Sequence, residues 1–113
     1  MDTAVTRSKE LDWQPLVEEG VDTRGIAVKQ LRCQSNGRPP SFLLRFDPGA
    51  SYPEHRHPKG EEVFVLSGEV HFDSIHLREG DYLYTAPGQT HAVRSETGCE
   101  MLFLVPTEVE ILS

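Results

Sequence analysis

Long apolar runs are missing from this sequence. No segment approaches the roughly 20 apolar residues that a bilayer-spanning helix needs, so no membrane partner is expected. The opening MDTAVTRSKELDW also lacks the apolar stretch of a secretory signal, and a cytoplasmic location is the expectation. Positive charge is in short supply: Lys and Arg number 11 against 18 Asp and Glu, and the net charge of -7 argues against a protein that grips nucleic-acid phosphates. Cysteine is scarce too. Cys33 and Cys99 stand far apart, outside any Cys-x-x-Cys spacing, which removes a redox pair and a thiolate zinc site and leaves two buried free thiols as the expectation. Internal repeats, low-complexity tracts and long amphipathic helices are absent as well.

What the chain does contain is a series of short strand-like stretches divided by turn residues. The stretches are Gly25 to Arg32, Ser41 to Phe46, Val63 to Leu66, Glu69 to Phe72, Ser74 to Leu77, Tyr82 to Thr85, His91 to Arg94 and Glu100 to Val105. Between them lie Asn36-Gly37, Pro39-Pro40, Asp47-Pro48-Gly49, Ser67-Gly68, Glu79-Gly80-Asp81, Pro87-Gly88 and Thr97-Gly98. Strands this short and this regularly spaced predict an all-β sandwich or barrel. At 113 residues the chain makes one such domain. Residues 1–24 read as an N-terminal extension that packs on the barrel or on a partner subunit, with Trp13 as its packing anchor, and residues 25–113 read as the barrel.

Gly49, His55, His57, Glu61 and Gly68 fall in the pattern Gly-x5-His-x-His-x3-Glu-x6-Gly, and His91 closes the stretch Ala86-Pro-Gly-Gln-Thr-His91. In an extended chain His55 and His57 share a face. Glu61 follows within reach of a tight bend. Glu61 and Glu62 must point to opposite faces of the next strand, so only one can join the histidines. With Glu61 inward, Val63, Val65 and Ser67 accompany it, and these small neighbours leave more room than Phe64 and Leu66, so Glu61 is chosen. His71 and His76 have no second partner at useful spacing and are read as surface or hydrogen-bonded residues. Three neutral imidazoles and a carboxylate suit iron, manganese, nickel, copper or zinc and leave a coordination position open.

The two stretches Gly49 to Gly68 and Gly80 to His91 resemble the paired motifs of the cupin superfamily. The string His55-Arg-His-Pro-Lys-Gly-Glu61-Glu-Val, with Gly98-Cys99 before a late apolar strand, most resembles the zinc-binding cupin domain of certain anti-sigma factors. Ala86 stands where many cupins have proline and Ser95 where asparagine is usual; neither is a candidate ligand. The resemblance implies a cupin-type double-stranded β-helix, a jelly-roll barrel, holding a divalent transition metal such as zinc, iron, manganese or nickel on His55, His57, Glu61 and His91.

Function is open on these grounds, because one fold hosts many reactions. One expectation is an enzyme of dioxygenase, isomerase or lyase type, acting on a small molecule at the open metal position. Its pocket would be apolar, lined by Val63, Val65, Val93 and Phe103, with Tyr52, Tyr82, Tyr84 and Arg45 as polar candidates. No catalytic residue beyond the ligands is assigned. The alternative is a noncatalytic sensor or regulatory module. A homodimer is expected, with the stretch Gly25 to Arg32 and the Trp13 segment as its candidate contacts.

Overall fold

A computed structural model describes residues 3–33, 40–106 and 110–112. Among them are ten strands, one short 3-10 turn at Ser8–Glu10 and no α-helix. The strands are β1 (Gln14–Pro15), β2 (Ile26–Arg32), β3 (Ser41–Phe46), β4 (Ser51–Arg56), β5 (Glu61–Phe72), β6 (Ile75–Arg78), β7 (Tyr82–Thr85), β8 (Thr90–Arg94), β9 (Cys99–Leu104) and β10 (Glu110–Ile111). All pairings are antiparallel. The all-β jelly-roll expectation is met. The expected turns at Asn36-Gly37 and at Pro39 lie outside the described residues.

The barrel turns on β5, which serves two sheets in succession. Its first half pairs with β9 on one side and β7 on the other; its second half pairs with β6 and β8. A register shift between Val65 and Ser67 marks the changeover. Such an extra residue bends a strand and reverses which side chains face inward. Before it Glu61, Val63 and Val65 are buried, and after it Val70 and Phe72 are. The Ser67-Gly68 pair therefore does not end a strand, as its composition suggests. Gly68 has φ of 77° and lies so close to β9 that a Cβ there would collide with the Gly98 carbonyl oxygen.

Ser95, in the position where asparagine is usual, ties the end of β8 to this region. Its hydroxyl donates to the Glu69 carbonyl at 2.6 Å and accepts from the Gly98 N–H at 2.9 Å. The core between the sheets is built on Phe46, Val65, Val70, Phe72, Met101 and Phe103. Cys99 is buried, but Cys33 is exposed at the end of β2, so only one of the two thiols behaves as a core residue.

The segment ahead of β2 lies against the barrel. Leu16 and Val21 pack on the core, and the Leu16 N–H donates to the Ile26 carbonyl at 3.0 Å. Trp13 sits on the outer face of β2 and β3, with the Lys29 ammonium and the Arg45 guanidinium each 4.8 Å from its ring.

Candidate metal centre

His55 and His91 face each other across the β4–β8 pair, in direct register. β4 carries a register shift between Tyr52 and His55, at Pro53 and Glu54. That extra residue lets Tyr52 and His55, three positions apart, both point inward, where simple alternation would separate them. His57 follows His55 by two and is buried on the same side.

Beyond His57 the chain makes a tight turn, in which the Gly60 N–H donates to the His57 carbonyl at 3.2 Å. The turn delivers Glu61 to the start of β5, facing inward. Glu62 points outward and accepts the Tyr82 hydroxyl at 2.6 Å, so of the two glutamates it is Glu61 that faces the histidines, as alternation requires. The Pro87-Gly88 turn is fastened to the same place. Gly88 N–H donates to the His57 carbonyl at 2.8 Å, and His57 N–H donates to the Gln89 carbonyl at 3.2 Å. The two sequence motifs are thus hydrogen-bonded to one another at His57.

The four side chains converge. Each offers one ligand atom, these atoms lie within 4.8 Å of one another, and all four residues are buried. His57 Nε2 is 2.9 Å from His55 Nε2, 3.2 Å from His91 Nε2 and 3.0 Å from Glu61 Oε2. A single ring nitrogen carries at most one proton, so His57 Nε2 cannot satisfy three such neighbours by donating hydrogen bonds. Glu61 Oε1 and His57 Nδ1 have no hydrogen-bond partner, a cost a buried polar group normally avoids. One cation placed among these lone pairs would answer the three Nε2 atoms and the Glu61 carboxylate together, and the donor set fits a divalent transition metal.

Electrostatics point the same way. Burial pushes the His55 imidazole down to about 4, with the neighbouring His57 and His91 acting in the same sense, while its contact with the Pro53 carbonyl opposes them. That 2.8 Å contact at Nδ1 fits a proton there and leaves the Nε2 lone pair facing the cluster. Burial alone would raise the Glu61 carboxyl, but the His57 and His91 ring nitrogens, 3.0 and 3.4 Å from its oxygens, outweigh it and hold the group below its ordinary value. A neutral His55 beside an ionised Glu61 is the pairing of protonation states a metal ligand set needs.

The cluster opens into a cavity of about 690 Å³ between the sheets. Val93 and Phe103 line it as expected, whereas Val63 and Val65 are packed into the core and do not. Of the polar candidates only Tyr52 reaches it. Tyr82 and Tyr84 are exposed, and Arg45 is engaged under Trp13. Glu18, which composition did not single out for the site, lines the cavity and accepts the Tyr52 hydroxyl at 2.5 Å. The two residues are 34 positions apart, and no local spacing signals their meeting. Burial, then the Glu18 carboxylate, drives the Tyr52 phenol upward. His71 and His76 remain apart from the cluster, stacked on each other with centroids 4.5 Å apart and His76 near Glu69.

The model of a family described as the ChrR cupin-like domain matches residues 1–110. The DNA damage-repair/toleration protein DRT102 of Arabidopsis thaliana is 32% identical over 62 residues, covering 50% of this chain and 20% of that protein. The chain therefore spans about a fifth of the length of this curated relative. An acetylacetone dioxygenase from Acinetobacter johnsonii superposes with a TM-score of 0.84 at 16% identity, over 100% of this chain and 81% of that one. A chain of the Rhodobacter sphaeroides complex of SigE with the anti-sigma ChrR superposes with a TM-score of 0.71 at 21% identity, over 88% and 50%. At such identities the structural likeness shows the fold.

Proposed function

The chain belongs to the family of ChrR cupin-like domains, and from that premise we propose that it binds one divalent transition metal on His55, His57, Glu61 and His91 and acts on a small molecule at the open position. The observation that carries this reading is the convergence of three buried Nε2 atoms and a carboxylate beside a cavity that His55, His57 and Glu61 line. The metal would supply Lewis-acid or redox chemistry to a molecule bound beside it. The chain's own residues do the rest. His55 is held with its lone pair inward by the Pro53 carbonyl, and Phe72 packs edge-on against His91 with centroids 5.0 Å apart, which limits ring rotation. The mainly apolar walls favour a molecule with an apolar body and one chelating end. Glu61 is the one carboxylate in the cluster and the group best placed to hold or move a proton there.

The likeness to the dioxygenase favours oxygen chemistry on a diketone or phenol, with isomerase and lyase chemistry as other outcomes. The test is metal analysis of the purified protein followed by oxygen uptake with a panel of diketones and phenols. Stoichiometric iron with substrate-dependent uptake is the expected result. A zinc centre with no uptake would remove the dioxygenase form and leave the lyase or isomerase form to be assayed by product formation.

The family description and the likeness to the SigE–ChrR complex favour a second reading, a noncatalytic metal-binding sensor. In that case the protein would change its melting temperature with a bound small molecule while turning none of the panel over.

A further inference from the structure

Apart from Glu61, whose charge the proposed metal would offset, the charged side chains lining the cavity are the acidic Glu18 and Glu19, and no Lys or Arg is among the described lining residues. Lys29 of β2 and Arg45 of β3 are committed to Trp13 on the opposite face of their sheet, and Arg32, exposed at the end of β2, is not among the residues lining the cavity. The rest of the wall is mainly apolar, including Leu16, Val28, Phe42, Leu44 and Phe103. In such surroundings a fixed charge acts more strongly than it does in water. An anionic ligand would lose its hydration there and find no positive partner among these residues.

Glu18 and Tyr52 are the polar pair above the cluster. The Tyr52 ring meets the His55 ring edge-on with centroids 5.0 Å apart, so the pair stands about one ring away from the candidate ligands. The Tyr52 hydroxyl uses its proton on Glu18 Oε1. Its oxygen lone pairs and Glu18 Oε2 then have no hydrogen-bond donor among the described residues, which leaves the pair with acceptors to offer and no donor. The segment carrying Glu18 is itself well fastened. Val21 N–H donates to the Glu18 carbonyl at 3.2 Å, and the Thr23 hydroxyl donates to the Leu16 carbonyl at 2.5 Å.

We propose that the cavity selects neutral or cationic molecules over anions, and that Glu18 and Tyr52 set this specificity by accepting a hydroxyl or ammonium group from a molecule whose other end lies at the cluster. The placement of that other end rests on the metal reading above; the charge preference rests on Glu18, since Glu19 is exposed to solvent.

Three molecules with one head and different tails make the test: ethylcatechol, dopamine and dihydroxyphenylacetate, titrated calorimetrically into the zinc-loaded full chain. Dopamine should bind about ten- to a hundredfold more tightly than dihydroxyphenylacetate, the size of one charge-assisted hydrogen bond, with ethylcatechol between them. Glu18→Gln keeps an acceptor for the Tyr52 hydroxyl but removes the charge, and the dopamine preference should fall towards parity while ethylcatechol affinity holds. Tyr52→Phe, which preserves the ring against His55, should reduce the same ratio.

Dihydroxyphenylacetate binding as tightly as dopamine would overturn the proposal. So would a ratio unchanged in both variants, which is what a purely structural tie between Glu18 and Tyr52 produces. Zinc content scores the metal reading separately. If no zinc is retained, phenethylamine and phenylacetate titrated into the metal-free protein and into its Glu18→Gln variant still decide the matter: a preference for the amine that falls in the variant is expected, and equal binding, or a preference the variant leaves unchanged, would refute it.

Discussion

At the scale of single residues, the candidate ligands were the most readable part of the chain. His55 and His57 share a face because they are two apart, and Glu61 is separated from Glu62 by strand alternation alone. Glu18 was not readable, because its contact with Tyr52 spans 34 positions and depends on how a preceding segment drapes over the barrel. If His57 is a ligand, His57→Ala should leave less than stoichiometric metal by elemental analysis after dialysis; full occupancy in the variant would remove it from the set. Acid should act on the metal-free protein through His55. Its folded value of about 4 lies below the ordinary imidazole value of 6.5, so on acidification the unfolded chain takes up the proton first. The stability is intact above the ordinary value and is lost as the pH falls from about 6.5 to about 4, to an extent of about 3 kcal/mol. Glu61, also held down in the fold, adds a loss of the same sign below the usual carboxylate range. Urea midpoints across this window should fall with pH in the metal-free protein, and a flat profile would contradict the burial of a neutral His55.

At the scale of elements, regular strands were legible and irregular ones were not. Ser41–Phe46 and Tyr82–Thr85 have the bounds that their composition predicts. The strand Ser51–Arg56 was missed because Pro53 and the register shift beside it break the alternation, although that same shift is what turns Tyr52 inward beside His55. The long β5 looks like two strands in sequence, since Ser67-Gly68 is ordinary turn chemistry; the approach of Gly98 and a φ of 77° show why glycine is required within a continuous strand. Gly68→Ala tests that reason against simple backbone strain. It forces a Cβ onto the Gly98 carbonyl in addition to placing alanine at φ of 77°, and should destabilise the protein by about 2–4 kcal/mol. Gly49→Ala meets φ of 87° with nothing within 4 Å of the new Cβ, and should cost only about 1 kcal/mol. Equal losses in the two variants, read from denaturant midpoints, would mean that the close packing of β5 on β9 contributes nothing.

At the scale of the whole molecule, the barrel places the cluster where its separate parts meet. His55 and His91 belong to the paired strands β4 and β8, whereas Glu61 begins the half of β5 that pairs with β7 and β9 in the other sheet. His57 lies in the connection between them, hydrogen-bonded to the Pro87-Gly88 turn. An ion held by all four would join both sheets and the two motif turns through one point. An unfolded chain cannot present this arrangement, so binding energy becomes folding energy. At free metal about a hundredfold above the dissociation constant the gain is about 2.7 kcal/mol, which in a domain of this size raises the melting temperature by roughly 10 °C. Chelation should reverse the shift, and replacement of the metal should restore it. In His57→Ala the same additions should move the melting temperature little, which separates binding at this cluster from ion binding elsewhere on an acidic surface. The His71–His76 pair supplies the complementary control: it lies outside the cluster, so His76→Ala should leave the metal-dependent shift intact. A shift that survives His57→Ala but disappears in His76→Ala would move the metal out of the barrel interior and onto its surface.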